Sequence, residues 1–251
     1  MRSLMPADGE LDADGIDVAY AWPDEPWLRV NMVTTVDGAV VAPDGLSRGI
    51  ATRADAHLFA ALRGRADALL IGAGTLRAER YRPAAAKPRY AQARAAAGQR
   101  PAPVIAVVSR SLAIDVADDL FVNPVERPIV LTVDSAPAAA LAALSRVADV
   151  VRCGETDVDP TLALTALRER GLTWVHCEGG PNLLTLLAGH DLIDEWCVTV
   201  SPRLAGASYP DGTVPPRLLA GGPLPLSPTP LRLSHVLSED GTLFLTYGRA
   251  G

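Results

Sequence analysis

Cysteine is scarce in this 251-residue chain, and its spacing excludes more than its number does. Cys153, Cys177 and Cys197 are scattered, with no C-x-x-C pair. That argues against a disulfide framework and a thiolate zinc site, and reads as free, partly buried thiols in a reducing compartment. Four histidines, none paired at helical spacing, leave no metal signature either. Positive charge is in deficit: 23 Lys and Arg stand against 29 Asp and Glu, a net charge of −6. A nucleic-acid-binding surface is disfavoured as the main business, while a local basic cluster could still hold an anionic cofactor. No apolar run approaches the ~20 residues needed to cross a membrane. The N-terminal MRSLMPADGELDADG is acidic and lacks the apolar stretch of a signal peptide. The cytoplasm is the expected location.

What the chain does have is apolar residues, 49% of the total and ample for a large core. Residues 1–26 read as an acidic, Pro-containing extended arm, and 27–251 as a single domain. The segment WLRVNMVTTV (27–36) is a strand rich in β-branched residues; Asp37-Gly38 is a turn, and AVVA (39–42) resumes the β pair. Thr52 caps a helix over 53–64, with Asp55 in its first turn and Ala54, Leu58, Ala61 and Leu62 on one face. Further strands are expected at 68–71, 104–108, 129–132, 150–151, 174–177 and 195–201. Helices are expected at 136–146, at 160–170 before Gly171, and at 182–188. Residues 82–103 are either a mobile loop or a loop carrying a short Ala-rich helix. After a Gly/Pro-rich excursion at 202–230, segments 231–237 and 242–247 form a hairpin around Glu239-Asp240-Gly241. This order implies an α/β fold: a mixed, mostly parallel β-sheet flanked by helices, with a C-terminal antiparallel hairpin.

Two glycine-bearing turns carry the functional signal. LLIGAGTL (69–76) and VHCEGGPNLL (175–184) each join an apolar strand to a helix. Such a turn offers unpaired N–H groups and the helix dipole to phosphate, and glycine lets a pyrophosphate lie against the backbone. Pro181 and Asn182 suit a first helical turn. Either turn alone is as often structural as functional; the pair favours a split dinucleotide site at strand C-terminal ends. Arg77 breaks the G-x-G-x-x-G pattern and there is no Walker sequence, so a standard Rossmann site is disfavoured. Ser109-Arg110, after VIAVV, offers a hydroxyl and a guanidinium for the 2′-phosphate of NADPH, with Thr132 a weaker neighbour; the plain alternative is a solvated arginine. Asp37 is either a turn residue or a carboxylate at the cleft mouth that reaches the N–H groups of a heterocycle. Arg63 is either a solvated helix-end charge or an anion-binding side chain.

Taken in order, these segments resemble the C-terminal reductase domain of the bifunctional riboflavin-biosynthesis deaminase-reductase, and so dihydrofolate reductase in fold. The resemblance is carried by TTVDGAV (34–40), Ser47 with Ala51-Thr52, Leu62-Arg63 then Ala66-Asp67-Ala68, IGAGT (71–75), CEGGPNLL (177–184) and LIDEWCVTVSPRLAG (192–206). It covers residues 27–247 and is most similar to stand-alone actinobacterial members; no H-x-E with P-C-x-x-C deaminase signature is present. It implies an NADPH-dependent oxidoreductase acting on a pyrimidine- or pterin-like heterocycle, such as 5-amino-6-(5-phosphoribosylamino)uracil, whose ribose is opened to ribityl. Gly72, Ala73, Gly74, Thr75, Gly179, Gly180, Pro181, Asn182 and Leu183 would hold NADPH, with Ser109, Arg110 and Thr132 at its adenosine end. Asp37 and Glu178 would give polar catalytic support, and Asn31, Thr52, Arg63, Glu79 and Arg82 would face the substrate. The apolar DEWCVTV strand (194–200) is either a homodimer contact, as the family also suggests, or a plain core strand. Two departures stand out. Asn31 occupies a position where the family commonly has lysine, and Arg77-Ala78-Glu79-Arg80-Tyr81-Arg82 replaces D-D-P-x-L-T-x-R. The rival readings are dihydrofolate reduction and a non-catalytic NADPH-binding regulator.

Overall fold

Continuous apolar runs build the centre of the molecule. ALLIG, VIAVV and IVLT form β4 (Ala68–Gly72), β5 (Val104–Val108) and β6 (Ile129–Thr132), nearly every residue of them buried. Strands covered by helices on both faces read this way. With β3 (Trp27–Thr35), β7 (Asp149–Arg152), β8 (Trp174–Cys177) and β9 (Glu195–Ser201) they form a parallel block ordered β9-β3-β8-β4-β5-β6-β7. The helices between them are α2 (Arg53–Gly64), α3 (Ala73–Glu79), α4 (Pro88–Ala96), α5 (Asp119–Val122), α6 (Ala138–Leu144), α7 (Pro160–Arg168) and α8 (Pro181–Gly189). The computed structural model describes residues 1–222 and 228–250.

The chain ends in antiparallel strands, as the hairpin signal requires. β10 (Leu231–Glu239) and β11 (Thr242–Arg249) meet through Asp240 and Gly241, at φ 51° and 77°. Two successive positive φ values define the tight turn that matches strand twist. β11 then pairs with β9, which joins the hairpin to the parallel block in one mixed sheet. The expected helix over 53–64 forms as α2, and Thr52 accepts from the Asp55 N–H at 3.1 Å. The loop at 82–103 does carry a helix, α4.

Two segments depart from expectation. Residues 39–42 do not resume a strand. Thr35 Oγ1 accepts the Ala39 N–H (2.9 Å) and the Pro216 carbonyl accepts that of Val40 (3.0 Å), so the segment leaves the sheet. The first 26 residues hold regular structure: β1 (Arg2–Met5) adds to β10, β2 (Gly9–Glu10) adds to β1, and α1 (Ala13–Ala19) starts at Asp12, which accepts from Gly15. The local cue was an Asp cap ahead of a short helix with no buried residue, too weak a pattern to announce itself.

A buried arginine ties this N-terminal layer down. Arg29 is 2% exposed, pairs with Glu195, donates to the Tyr20 carbonyl at 2.9 Å, and lies 4.3 Å over the Trp22 ring. Removing one partner of such a pair leaves the other charge buried alone. Arg29→Ala is expected to cost about 3–5 kcal/mol, read from urea unfolding, with Tyr20 and Trp22 loosened from the sheet. A loss below about 1 kcal/mol would mean the clamp contributes nothing beyond an ordinary surface pair.

Candidate active site

Six strands run parallel from β9 to β6, so their C-terminal ends share one edge. β8 and β4 are direct neighbours there, which brings the two glycine turns together. The Gly72 N–H donates to the Gly179 carbonyl at 2.8 Å. α3 begins directly after Gly72, and α8 begins at Pro181 with Gly180 as its cap. The two glycines of the β8 turn are closely packed. A Cβ on Gly180 would sit 2.9 Å from Thr75 Oγ1, and one on Gly179 (φ +78°) would sit 2.8 Å from Met32 Sδ. A Cβ on Gly74, by contrast, would meet nothing within 4 Å. A cleft of about 370 Å³ opens beside the junction, and Gly74, Thr75, Gly180 and Pro181 all line it.

One wall of the cleft is a charged cluster around Glu178. Arg63 donates through Nε and Nη2 to the two Glu178 oxygens, both at 2.5 Å, and the Tyr81 hydroxyl donates to Oε2 at 2.5 Å. The guanidinium stacks 4.2 Å over the Phe59 ring. Burial alone would push the Glu178 carboxyl up, but the Arg63 charge and the hydrogen bonds outweigh it and hold the pKa below its usual range. His176, two residues earlier on β8, is wholly buried with its Nε2 3.8 Å from Glu178, and burial pushes its pKa down to about 4. Tyr81 is driven the other way, first by burial and then by the Glu178 charge, so it remains a phenol.

A second acid faces the same cleft in an opposite environment. Asp55 is 8% exposed, and burial raises its pKa against the partial opposition of the Thr199 hydroxyl. Asn31 is buried beside the cleft, and Glu79 also lines it, with one oxygen accepting the Ser47 N–H at 2.8 Å.

Other expected residues lie off the cleft, most of them with their polar atoms engaged or buried. The Asp37 carboxylate accepts from the Thr35 hydroxyl (2.5 Å) and from the backbone N–H groups of Ala205 (3.1 Å) and Gly206 (2.7 Å). It clasps 203–206 to the loop that roofs the cleft. Thr52 caps α2 and shares a hydrogen bond with Thr242 at 3.0 Å. Arg82 is exposed. Ser109 Oγ accepts the Leu112 N–H at 3.0 Å, and exposed Arg110 pairs with Asp157 at 2.7 Å. Thr132 is fully buried. Leu183 is buried in the first turn of α8, while exposed Asn182 lies against the backbone of Gly221. Ala73 is buried at the start of α3.

The sequence model of the RibD C-terminal domain matches residues 26–233. The chain belongs to that family. A 2,5-diamino-6-ribosylamino-4(3H)-pyrimidinone 5′-phosphate reductase from Methanothermobacter thermautotrophicus is 31% identical over 72% of this chain and 80% of its own length. The enzyme of the same name from Archaeoglobus fulgidus is 25% identical over 72% and 82%. A pyrimidine reductase-like protein from Corynebacterium diphtheriae superposes with a TM-score of 0.82 at 26% identity, covering 94% of this chain and 98% of that one.

In this RibD C-terminal domain, Asp55, Tyr81, Phe59 and Arg48 line the cleft without having been singled out from the sequence. Asp55 had a signal: it is an acid on the stripe otherwise formed by Ala54, Leu58 and Leu62. Tyr81 had none, because its role depends on α3 ending at Arg80 in a left-handed turn (φ 49°).

The clasp has a pH signature. The Thr35 hydroxyl first, then the Ala205 and Gly206 amides, lower the Asp37 pKa to about 2. A depressed carboxylate stabilises fully above its unfolded pKa of about 3.9 and ceases to do so as pH falls through the folded value. The amides of Ala205 and Gly206 are expected to stay protected at pH 5 and to lose protection as pH drops from about 4 toward 2, read by hydrogen exchange. Asp37→Ala should expose them at every pH. Protection indifferent to both changes would exclude the clasp.

Proposed function

We propose that this domain is an NADPH-dependent oxidoreductase of riboflavin biosynthesis that reduces a ribosylaminopyrimidine 5′-phosphate. The observation that carries the reading is the contact of the two glycine turns at the edge of one cleft. The site fits a dinucleotide: Gly179 and Gly180 pack closely against Met32 and Thr75, Gly74 opens onto the cleft, and the first-turn amides of α8 lack intrahelical acceptors. Arg110 supports NADPH over NADH, since it stands past the end of β5 with only an exposed aspartate to leave for a 2′-phosphate. A bound reduced nicotinamide supplies the hydride. The protein holds the acceptor and manages the proton.

Two of the three acids lining the cleft, Glu178 and Asp55, divide that work, because their environments push their pKa values apart. Glu178 stays ionised and fixes Arg63 and Tyr81 as a rigid wall. Asp55, whose pKa burial raises, is the cleft acid placed to exchange a proton with substrate. Its two oxygens suit a donor–donor edge. A 2-aminopyrimidinone presents N3–H and its 2-amino group side by side, whereas a uracil replaces the second donor by a carbonyl. Asp55 therefore favours the 2,5-diaminopyrimidinone, the substrate named for both archaeal relatives, over 5-amino-6-(5-phosphoribosylamino)uracil. Dihydrofolate shares the 2-amino edge and is the informative competitor.

Asp55→Asn is expected to lower kcat for the diaminopyrimidinone by about 100-fold or more while NADPH affinity is unchanged. Wild type should oxidise NADPH faster with that substrate than with the uracil. Equal losses of turnover and NADPH binding in Asp55→Asn would remove its substrate-side role. NADPH binding with no oxidation for any of the three substrates would favour a regulator instead.

Assembly belongs to the same proposal. On β9 and β11 the residues facing away from α2 are Trp196, Val198, Val200, Leu243, Leu245 and Tyr247, and Val198, Leu245 and Val236 align in one transverse row. Leu4, Leu231 and Leu243 beside them are 47%, 41% and 38% exposed. An apolar sheet face of this kind suits a second copy of the chain. The unbroken sheet from β2 to β7 supports a single domain, and the three free, buried cysteines suit a reducing cytoplasm. Sedimentation equilibrium should give a dimer for wild type and a monomer for Val198→Arg; a monomer in both would rule the face out.

A further inference from the structure

A second cavity, of about 210 Å³, shares Phe59 with the cleft and extends under residues 83–87 to α4. Its lining holds three cations, Arg63, Lys87 and Arg94, and no carboxylate; the rest is apolar residues, proline and one glycine. Nearby acids are committed elsewhere. Glu178 is bound by Arg63 and Tyr81, Asp67 accepts from Gln99, Thr173 and Trp174, and Glu126 lies 3.4 Å from Arg100.

Two of the cations, Arg94 and Lys87, have unused donors. Arg94 is 2% exposed; its Nε and Nη1 reach the carbonyls of Arg100, Gly64 and Ala66, while its buried Nη2 has no acceptor among the described residues. Lys87 Nζ reaches the Ala60 carbonyl at 2.9 Å, which leaves two of its three N–H groups for a ligand. Burial lowers the pKa of both groups, and the Arg63 charge lowers Lys87 further. Crowded positive charge without an acid is costly unless an anion completes it.

The geometry points to an anion-binding site in this cavity, built by Lys87 and Arg94 and bordered by Arg63, that takes a phosphate group. Arg63 is held to Glu178 through Nε and Nη2, so the phosphate meets chiefly Lys87 and Arg94, with the apolar walls around it. The phosphate is either that of a free phosphate ester or the 5′-phosphate of the molecule whose ring occupies the cleft.

Titration calorimetry of inorganic phosphate into the full chain at low ionic strength tests the site directly. Saturable one-to-one binding is expected. Lys87→Ala should weaken it by at least about tenfold, Lys87→Arg should retain it, and Ala84→Glu, which places a carboxylate in the lining, should abolish it. Thermal unfolding verifies that the variants are folded. No saturable binding in wild type, or wild-type binding in both Lys87→Ala and Ala84→Glu, overturns the site. Displacement of phosphate by the phosphorylated ribosylaminopyrimidine, but not by its dephosphorylated form, identifies the substrate's own 5′-phosphate as the source. Simultaneous binding identifies a free ester, and the site stands in either case. The readout is phosphate binding rather than turnover, so its failure leaves the proposed reaction untouched.

Discussion

The active site depends on how closely two strand ends approach. β4 and β8 leave the sheet side by side, and Gly72 bonds to Gly179 across the gap. A side chain on Gly179 would crowd Met32, and one on Gly180 would crowd Thr75. Backbone, not side chain, therefore forms the floor of the cleft. That is the condition for main-chain amides of two helices to face one ligand. The parallel sheet enforces it, since parallel neighbours must end at the same edge.

Around this floor the molecule places two carboxylates in opposed surroundings. Glu178 is desolvated but matched by Arg63; Asp55 is desolvated with only a hydroxyl beside it. Similar burial thus leaves one carboxyl with a lowered pKa and the other with a raised one. Arg63 also borders the second cavity, so one guanidinium stiffens the wall between two compartments.

The order of elements was legible because it rests on local patterns: apolar runs for β4, β5 and β6, a Thr cap for α2, and an Asp-Gly hairpin for β10 and β11. The glycine turns were legible for the same reason. Roles set by distant contacts were not. Asp37 has the place of a cleft carboxylate in the sequence, while its oxygens bind amides that arrive from 168 and 169 residues away. Ser109 and Thr52 have the residue type and place of ligand contacts, and each hydroxyl also has a partner within the fold that the sequence does not show. Tyr81 carried no motif at all. A hydroxyl or carboxylate can be spotted in a sequence; whether a neighbour has already claimed it cannot.

The Asp37 clasp has one further consequence. The roof of the cleft is encoded in two stretches far apart in the chain, 36–50 and 203–217, knitted by Asp37, by Tyr209 on the Val41 carbonyl and by Arg203 on the Gly49 carbonyl. Neither stretch is a self-sufficient module. A chimera that imports only one of them from a relative inherits half a knot, so recombination among these proteins must exchange both together to keep the roof in place.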